Sequence, residues 1–392
     1  MNPPMSTRDH SDEFQLGHRR WLDGLRGIAI LLVLAYHLHL LGSGFLGVDL
    51  FFVLSGFLIT SLLLEEHRRT ETICFIAFYR RRALRILPAL LLMLAGVLTW
   101  AALKSPQQLK DSRREAVVVI CFGTNMQDRL HHVPMGMLGF TWSLAVEEQF
   151  YFIWPALLFV LLRCRVPRTT IMILMGVGIV AIAIFRSWVF ANLPPPTDMW
   201  WPLKLLRTYT GPDTRGDSIL CGCLAATLAY WGYYPRTVTQ RQRIQSAGMV
   251  SLGLLLGVFY AGTNIGDPYM YYGAFTGFGL LTATLIFSMI SAPEPILRRI
   301  LEFGPLVGVG RISYGLFLYH FPIIAMMGID FKNLGWSWPG NTAIVVVVSF
   351  VVSIISYYCL EQPMLRLKKW FEPARTASQA TEKAPTPMRR AA

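Results

Sequence analysis

Residues 21–41 read W-L-D-G-L-R-G-I-A-I-L-L-V-L-A-Y-H-L-H-L-L, from Trp21 to Leu41. The stretch is apolar enough to cross a bilayer, yet it carries Asp23 and Arg26 at one end and His37 and His39 beyond its middle. Ionisable groups inside a span are costly and read as functional by default. Arg26 and His37 are eleven residues apart, and at about 100° per residue that is three turns plus about 20°. One helical face therefore presents a guanidinium and an imidazole roughly 16 Å apart along the axis, at about 1.5 Å per residue. The plain readings stand beside this one. An arginine at a helix end also snorkels to the headgroups, and a histidine in a bundle also bonds a neighbouring helix.

Working outward, the 392 residues are 54% hydrophobic and only 15% charged, where a soluble domain holds about 25%. Long apolar runs recur from end to end, which predicts an all-α, polytopic transmembrane bundle. Candidate spans fall at 22–41, 46–64, 84–103, 143–162, 171–191, 217–234, 246–262, 271–290, 307–328 and 342–360, about ten by bilayer length. The run 116–122 is too short to cross and reads as a re-entrant or surface segment. The net charge of +13 lies in short clusters between spans. That is an orientation signal rather than a nucleic-acid stripe. With alternating spans, Arg19, Arg20, Arg80, Arg81, Arg82, Arg163, Arg165, Arg168, Arg236, Arg241 and Arg243 fall on one side with the basic stretch after Glu361. This places both termini in the cytoplasm of an inner (plasma) membrane protein. Arg26 then stays near the cytoplasmic face, and His37 lies past the midplane, about 18 Å into the roughly 30 Å hydrocarbon core. The six cysteines are scattered without a C-x-x-C, predicting neither a disulfide framework nor a zinc site. Residues 1–20 read as a flexible arm without a cleavable signal peptide, 21–363 as the membrane domain, and 364–392 as a basic, disordered tail.

Further polar groups punctuate the spans. Asp49 opens the second, in G-V-D-L-F-F-V-L-S-G-F-L-I-T, as an interfacial cap, a partner for another polar group, or a residue with a direct role. F-Y-R-R-R-A-L-R-I-L-P, residues 78–88, crowds arginines at the start of the third span, and Pro88 should kink it. Arg80 and Arg81 read as positive-inside anchors. Arg82 and Arg85, three apart, suit a phosphate because guanidinium matches it bidentately. T-W-S-L-A-V-E-E-Q-F-Y, residues 141–151, sets Glu147, Glu148 and Gln149 at a span mouth. The cluster either caps the helix N-terminus or places a carboxylate toward the depth of His37. His131 and His132 read as surface residues. Trp100, Trp142, Trp188, Trp200 and Trp201 suit an interfacial belt, with stacking of some of them on a sugar as the alternative. Arg215 and Asp217 open the sixth span, and the ninth carries Arg311 and His320.

Taken together, these motifs resemble the acyltransferase-3 superfamily of integral membrane O-acyltransferases. The resemblance rests on Arg26-x10-His37, the block around Asp49, the Arg82-x-x-Arg85 pair, W-S-L-A-V-E-E-Q-F-Y at Glu147, R-G-D at Arg215–Asp217, I-S-Y-x3-L-Y-H ending at His320, and E-Q-P at 361–363. They run in order over residues 21–363 and suit the stand-alone form, without a C-terminal hydrolase-like domain. The resemblance implies transfer of an acyl group, usually acetyl from acetyl-CoA, to a sugar hydroxyl. Acceptors in the family include surface polysaccharides, lipopolysaccharide and glycosylated metabolites. It implies His37 as catalytic base with Arg26 as its companion and Glu147 at the site. Arg82 and Arg85 fall on the CoA side, with Asp217 and His320 as further substrate- or CoA-binding residues. Acyl-CoA is then a co-substrate; no permanently bound cofactor and no metal is expected. Neutral imidazole can take a hydroxyl proton during attack on a thioester, which predicts direct transfer; an acyl-histidine intermediate is the alternative. The competing class is a transporter or flippase of a lipid-linked sugar, since polar groups in spans also mark transport paths.

Overall fold

The first apolar stretch folds as helix α1, Arg20–His37, and stops there rather than at Leu41. His39 turns into the left-handed region at φ +55°. The N–H groups of His39 and Leu40 close back on the carbonyls of Tyr36 and Ala35 at 3.0 and 2.8 Å, satisfying the helix end. A short 3₁₀ turn, Gly42–Leu46, then reverses the chain into α2, Gly47–Thr70. His37 is thus the last helical residue of α1.

The computed structural model describes residues 16–126, 136–193, 203–327 and 339–367. Among them every regular element is helical. After α2 come α3 (Phe75–Lys104), α4 (Pro106–Ile120), α5 (Trp142–Arg163), α6 (Arg168–Asn192), α7 (Leu203–Thr210) and α8 (Pro212–Tyr230). Then follow α9 (Val238–Tyr260), a π turn at Met270–Ala274 leading into α10 (Phe275–Ser291), α11 (Pro295–Leu301), α12 (Gly304–Arg311) and α13 (Ser313–Met326). Last are α14 (Pro339–Ser356), a π turn at Tyr357–Glu361 and α15 (Gln362–Arg366). Each expected span overlaps helix, and among the described residues seven helices are long and apolar enough to cross a membrane. The other expected spans depart for visible reasons. Helix α1 carries Arg20, Asp23 and Arg26, and α8 carries Asp213, Arg215 and Asp217. The 307–328 stretch breaks at Ile312 into α12 and α13.

Two expectations change shape. Residues 116–120 of the run 116–122 are the end of a fifteen-residue helix, α4, whose start is capped by Ser105 Oγ accepting from the Gln108 N–H at 3.1 Å. It buries Ala116 and Val119 in the same cluster as Leu90, Met93 and Val97 of α3. The third span begins nine residues before the expected position 84, so Arg80, Arg81, Arg82 and Arg85 lie within α3. Carboxylates from other helices make that tolerable: Glu66 accepts from Arg81 at 2.8 Å, and Glu148 takes Arg82. Helix α3 also runs unbroken through Pro88. His131, His132, Trp200, Trp201, most of the 1–20 arm and nearly all of the 364–392 tail lie outside the described residues.

Packing is closest where side chains vanish. In lipid, helices associate through close van der Waals contact, which small residues permit. A Cβ on Gly56 of α2 would stand 1.9 Å from the Ile219 carbonyl oxygen of α8, and one on Gly222 of α8 would stand 1.9 Å from that of Val53. Helices α1 and α12 meet the same way, with Gly310 against the Asp23 carbonyl. The core around α2 and α8 is filled by Phe52, Phe57, Ile219, Ala226, Phe275 and Ile286. By contrast, α6 turns Ile173, Val177 and Ile184 outward, as a lipid-facing helix does.

Candidate active site

Two chemical poles lie along α1. At the Arg26 pole, Arg26 is half-buried and its Nη2 donates to Ser313 Oγ of α13 at 3.0 Å. Helix α3 brings Arg82, whose Nε donates to both oxygens of Glu148, at 2.8 and 3.0 Å, while its Nη2 also reaches Glu148. The Arg82 guanidinium lies 3.5 Å from the centre of the Tyr151 ring, so one residue is gripped edge-on by a carboxylate and face-on by a π system. Glu147 accepts from Ser55 Oγ of α2 at 2.8 Å and stands 3.9 Å from Arg82. Two adjacent carboxylates of α5 thus share one guanidinium, with Arg26 within electrostatic reach of Glu147. Arg85, one turn on, is exposed. Among the described residues it makes no hydrogen bond or ion pair, although Arg26 and Glu361 lie within its electrostatic range.

At the other pole stands a histidine pair. His37 Nδ1 is 3.1 Å from His320 Nε2 and 3.1 Å from the Val33 carbonyl. His320 is buried, with Nδ1 2.7 Å from the Leu316 carbonyl. Phe321 meets the His37 ring edge-on at 5.1 Å, and Tyr36 does so at 5.3 Å. Helix α13 is held in place by two tyrosines. Tyr314 donates to the Ile86 carbonyl at 2.9 Å, and Tyr319 bonds Ser356 of α14 at 2.7 Å.

The expected site residues therefore divide into separate groups. Arg26, Glu147 and Arg82 come together. His37 and His320 come together, 283 residues apart in sequence. Glu147 does not orient His37; its partners are Ser55 and Arg82. Arg82 and Arg85 do not form a matched grip, because Glu148 occupies Arg82 and leaves Arg85 exposed. Asp217 belongs to neither pole. It is fully enclosed, accepting from Arg186 Nη1 at 2.8 Å and Thr276 Oγ1 at 2.6 Å. Beside it, the Asp49 carboxylate accepts from Arg215 Nη2 at 2.7 and 2.8 Å, again with no exposure. The Nε and Nη1 of Arg215 have no hydrogen-bond partner among the described residues. Its guanidinium instead stacks 3.7 Å over Phe275 and 4.9 Å from Tyr209. Asp49 is thus a buried ion-pair partner rather than an interfacial cap. Trp142 is likewise not a belt residue: it is buried against Tyr209, ring centres 4.7 Å apart.

Sequence reading missed Arg186, Ser55, Tyr151 and Ser313. Arg186 carried a usable signal, a lone arginine within the apolar run 171–191. Ser55, Tyr151 and Ser313 carried none beyond the quoted motifs.

Comparison with known proteins bears on the chain as a whole. The model of the acyltransferase domain family matches residues 19–358. The chain is 32% identical over 359 residues to the peptidoglycan O-acetyltransferase OatA of Listeria monocytogenes, covering 88% of this chain and 55% of that protein. It is 30% identical over 357 residues to O-acetyltransferase OatA of Staphylococcus aureus, with 88% and 56% covered. It is also 30% identical over 368 residues to the putative peptidoglycan O-acetyltransferase YrhL of Bacillus subtilis, with 88% and 55% covered. The chain spans about half the length of these relatives. No solved structure matches it.

Proposed function

The chain belongs to the acyltransferase-3 family, and from that membership we propose that it moves an acetyl group from acyl-CoA to a hydroxyl of cell-wall peptidoglycan, with His37 as general base. The observation that carries this reading is the two-pole layout of α1. A CoA thioester has phosphates at one end and its reacting carbonyl at the other, with a slender pantetheine arm between. Arg85 is an exposed guanidinium at the Arg26 pole, one turn from Arg82, and it takes the phosphate charge on the cytoplasmic side. Arg26 and Arg82, held by Ser313 and Glu148, set the shape and field of that pole. The arm runs along α1 and delivers the thioester to His37, roughly 16 Å away at about 1.5 Å per residue.

At the His37 pole the imidazole takes the acceptor's hydroxyl proton as the oxygen attacks the thioester carbonyl carbon. The C–O bond forms, the C–S bond breaks, and the proton passes from His37 to the departing sulfur, giving free CoA and the O-acetyl ester. Oxyanion donors must lie about 3 Å from the reacting oxygen. Arg26, tied to Ser313 a helix-length away, therefore acts on the charged end of the donor and not on this oxyanion. The enclosed pairs Asp49–Arg215 and Asp217–Arg186 have no exposure, which favours a structural clamp over a permeation path.

The test is acetyl transfer by the purified full chain in detergent, with acetyl-CoA and muropeptides or intact peptidoglycan, and mass analysis of the glycan. Wild type acetylates the glycan, and His37→Ala loses about 10²–10⁴-fold, the usual weight of a general base. Transfer that survives in His37→Ala, or acetyl trapped on the protein from donor alone, overturns direct transfer by His37.

A further inference from the structure

Both histidines of the His37 pole turn Nδ1 toward a main-chain carbonyl: Leu316 at 2.7 Å for His320, and Val33 at 3.1 Å for His37. A carbonyl oxygen only accepts, and a neutral imidazole carries one N–H. Each Nδ1 therefore holds the ring's single proton. For His320 this leaves Nε2 as a bare lone pair, and that lone pair faces His37 Nδ1 at 3.1 Å. The His37 Nδ1–H is then shared between two acceptors, the Val33 carbonyl and His320 Nε2. Two independent contacts agree on the same tautomer, and His37 Nε2 is left as the free lone pair.

We infer that His320 is a positioning residue, a neutral imidazole that locks His37 with its proton on Nδ1 so that Nε2 faces the reaction as the base. The inference rests on His37 being the general base, and it replaces the expectation that His320 binds substrate or CoA. Serine hydrolases assign the orienting task to a carboxylate, which fixes the tautomer and steadies the imidazolium. Here Glu147 is committed to Ser55 and Arg82, and the group bonded to Nδ1 is uncharged. The His320 ring is 1% exposed and walled by Phe140 and Phe317, with ring centres 5.9 and 6.4 Å away. It is held, not mobile, so it can impose an orientation on the half-buried His37. Once Nε2 takes the proton, His37 becomes a cation and its Nδ1–H bond to His320 becomes charge-assisted, hence stronger at the moment it is needed.

The test uses the full chain in nanodiscs, labelled with ring-¹⁵N histidine, the His37 signal being identified by its loss in His37→Gln. The expected spectrum has a protonated Nδ1 and a pyridine-type Nε2 for His37. His320→Phe keeps the ring packing and removes the acceptor. It should let both tautomers of His37 appear and lower kcat about 10²-fold, with the KM for acetyl-CoA unchanged. His320→Gln, whose amide oxygen can accept from Nδ1–H, should recover part of that loss. A proton on Nε2 of His37 in the wild type overturns the inference and needs no variant to fold. So does a His320→Phe enzyme with wild-type kcat and a raised KM for acetyl-CoA, which would place His320 against the donor. The two readings fail separately. Turnover surviving in His37→Ala sinks the general-base reading, whereas the wrong tautomer with His37-dependent turnover sinks only the role of His320.

Discussion

Asp217→Asn removes one charge from a fully enclosed cluster while keeping its shape. Asp217 Oδ2 accepts from Arg186 Nη1 at 2.8 Å and from Thr276 Oγ1 at 2.6 Å, and neither charged side chain is exposed. The asparagine carbonyl can keep both bonds, so the loss is the charge compensation of Arg186 together with an amide NH2 set where Oδ1 has no partner among the described residues. Breaking a buried pair by removing one partner costs about 3–5 kcal/mol. The retained bonds, each worth about 1 kcal/mol, put this variant near the lower figure. Arg186→Leu should cost about 5 kcal/mol, because it strands the aspartate and removes the donors to the Thr214 and Tyr271 carbonyls. The double variant Arg186→Leu/Asp217→Leu leaves no stranded charge. It should therefore cost less than the sum of the two single changes, with a coupling of about 2–3 kcal/mol in the cycle completed by Asp217→Leu. The assay is reversible unfolding in mixed SDS–detergent micelles followed by tryptophan fluorescence. Acetyl transfer per folded molecule is measured in parallel and should be unchanged in Asp217→Asn. Single variants within about 1 kcal/mol of wild type, or strictly additive effects, would refute the clamp. A raised KM for acceptor at wild-type stability would return Asp217 to substrate binding.

Other perturbations separate the donor pole from the scaffold. Arg85→Ala removes an exposed side chain without a hydrogen-bond partner among the described residues. It should raise the KM for acetyl-CoA roughly tenfold, about 1.4 kcal/mol, with no change in melting temperature. Arg82→Lys keeps the charge but loses the two-toothed grip on Glu148 and the stacking on Tyr151. Thermal unfolding should register about 1–3 kcal/mol of destabilisation, the scale of a charged hydrogen bond, and turnover should fall with it. Gly222→Val drives a Cβ into the Val53 carbonyl and should yield no monodisperse protein by size exclusion. Gly257→Val, where nothing lies within 4 Å of the new carbon, should behave as wild type.

The sequence told most where a single helix carried the message. The eleven-residue spacing of Arg26 and His37 is a property of one helix, so the two-pole reading needed no tertiary information. What failed was partner assignment. Glu147 was a candidate neighbour for His37 because alternating spans put both in the outer half, yet Glu147 stands beside Ser55 and Arg82 at the Arg26 pole, so span counting misjudged its depth. His320 pairs with His37 because α1 and α13 run side by side, and periodicity in one helix does not encode the identity of its neighbour. Arginines at 80–85 look like the end of a span because isolated guanidinium is intolerable in hydrocarbon. Glu66 and Glu148, from α2 and α5, remove that objection and let α3 begin at Phe75. Arg186 was passed over inside an apolar run, although a buried arginine demands an acceptor that some other helix must supply.

The glycine contacts of α2 with α8, and of α1 with α12, bring carbonyl oxygens where side chains would otherwise stand. Such a joint has nothing to trim or exchange, because its contact surface is made of main chain, which mutation cannot edit. These pairs act as a welded chassis, and His37 is mounted on it. Change in acceptor preference, whether by selection or by design, is thereby displaced onto the side chains bolted to that frame, such as Tyr36 and Phe321, which flank His37.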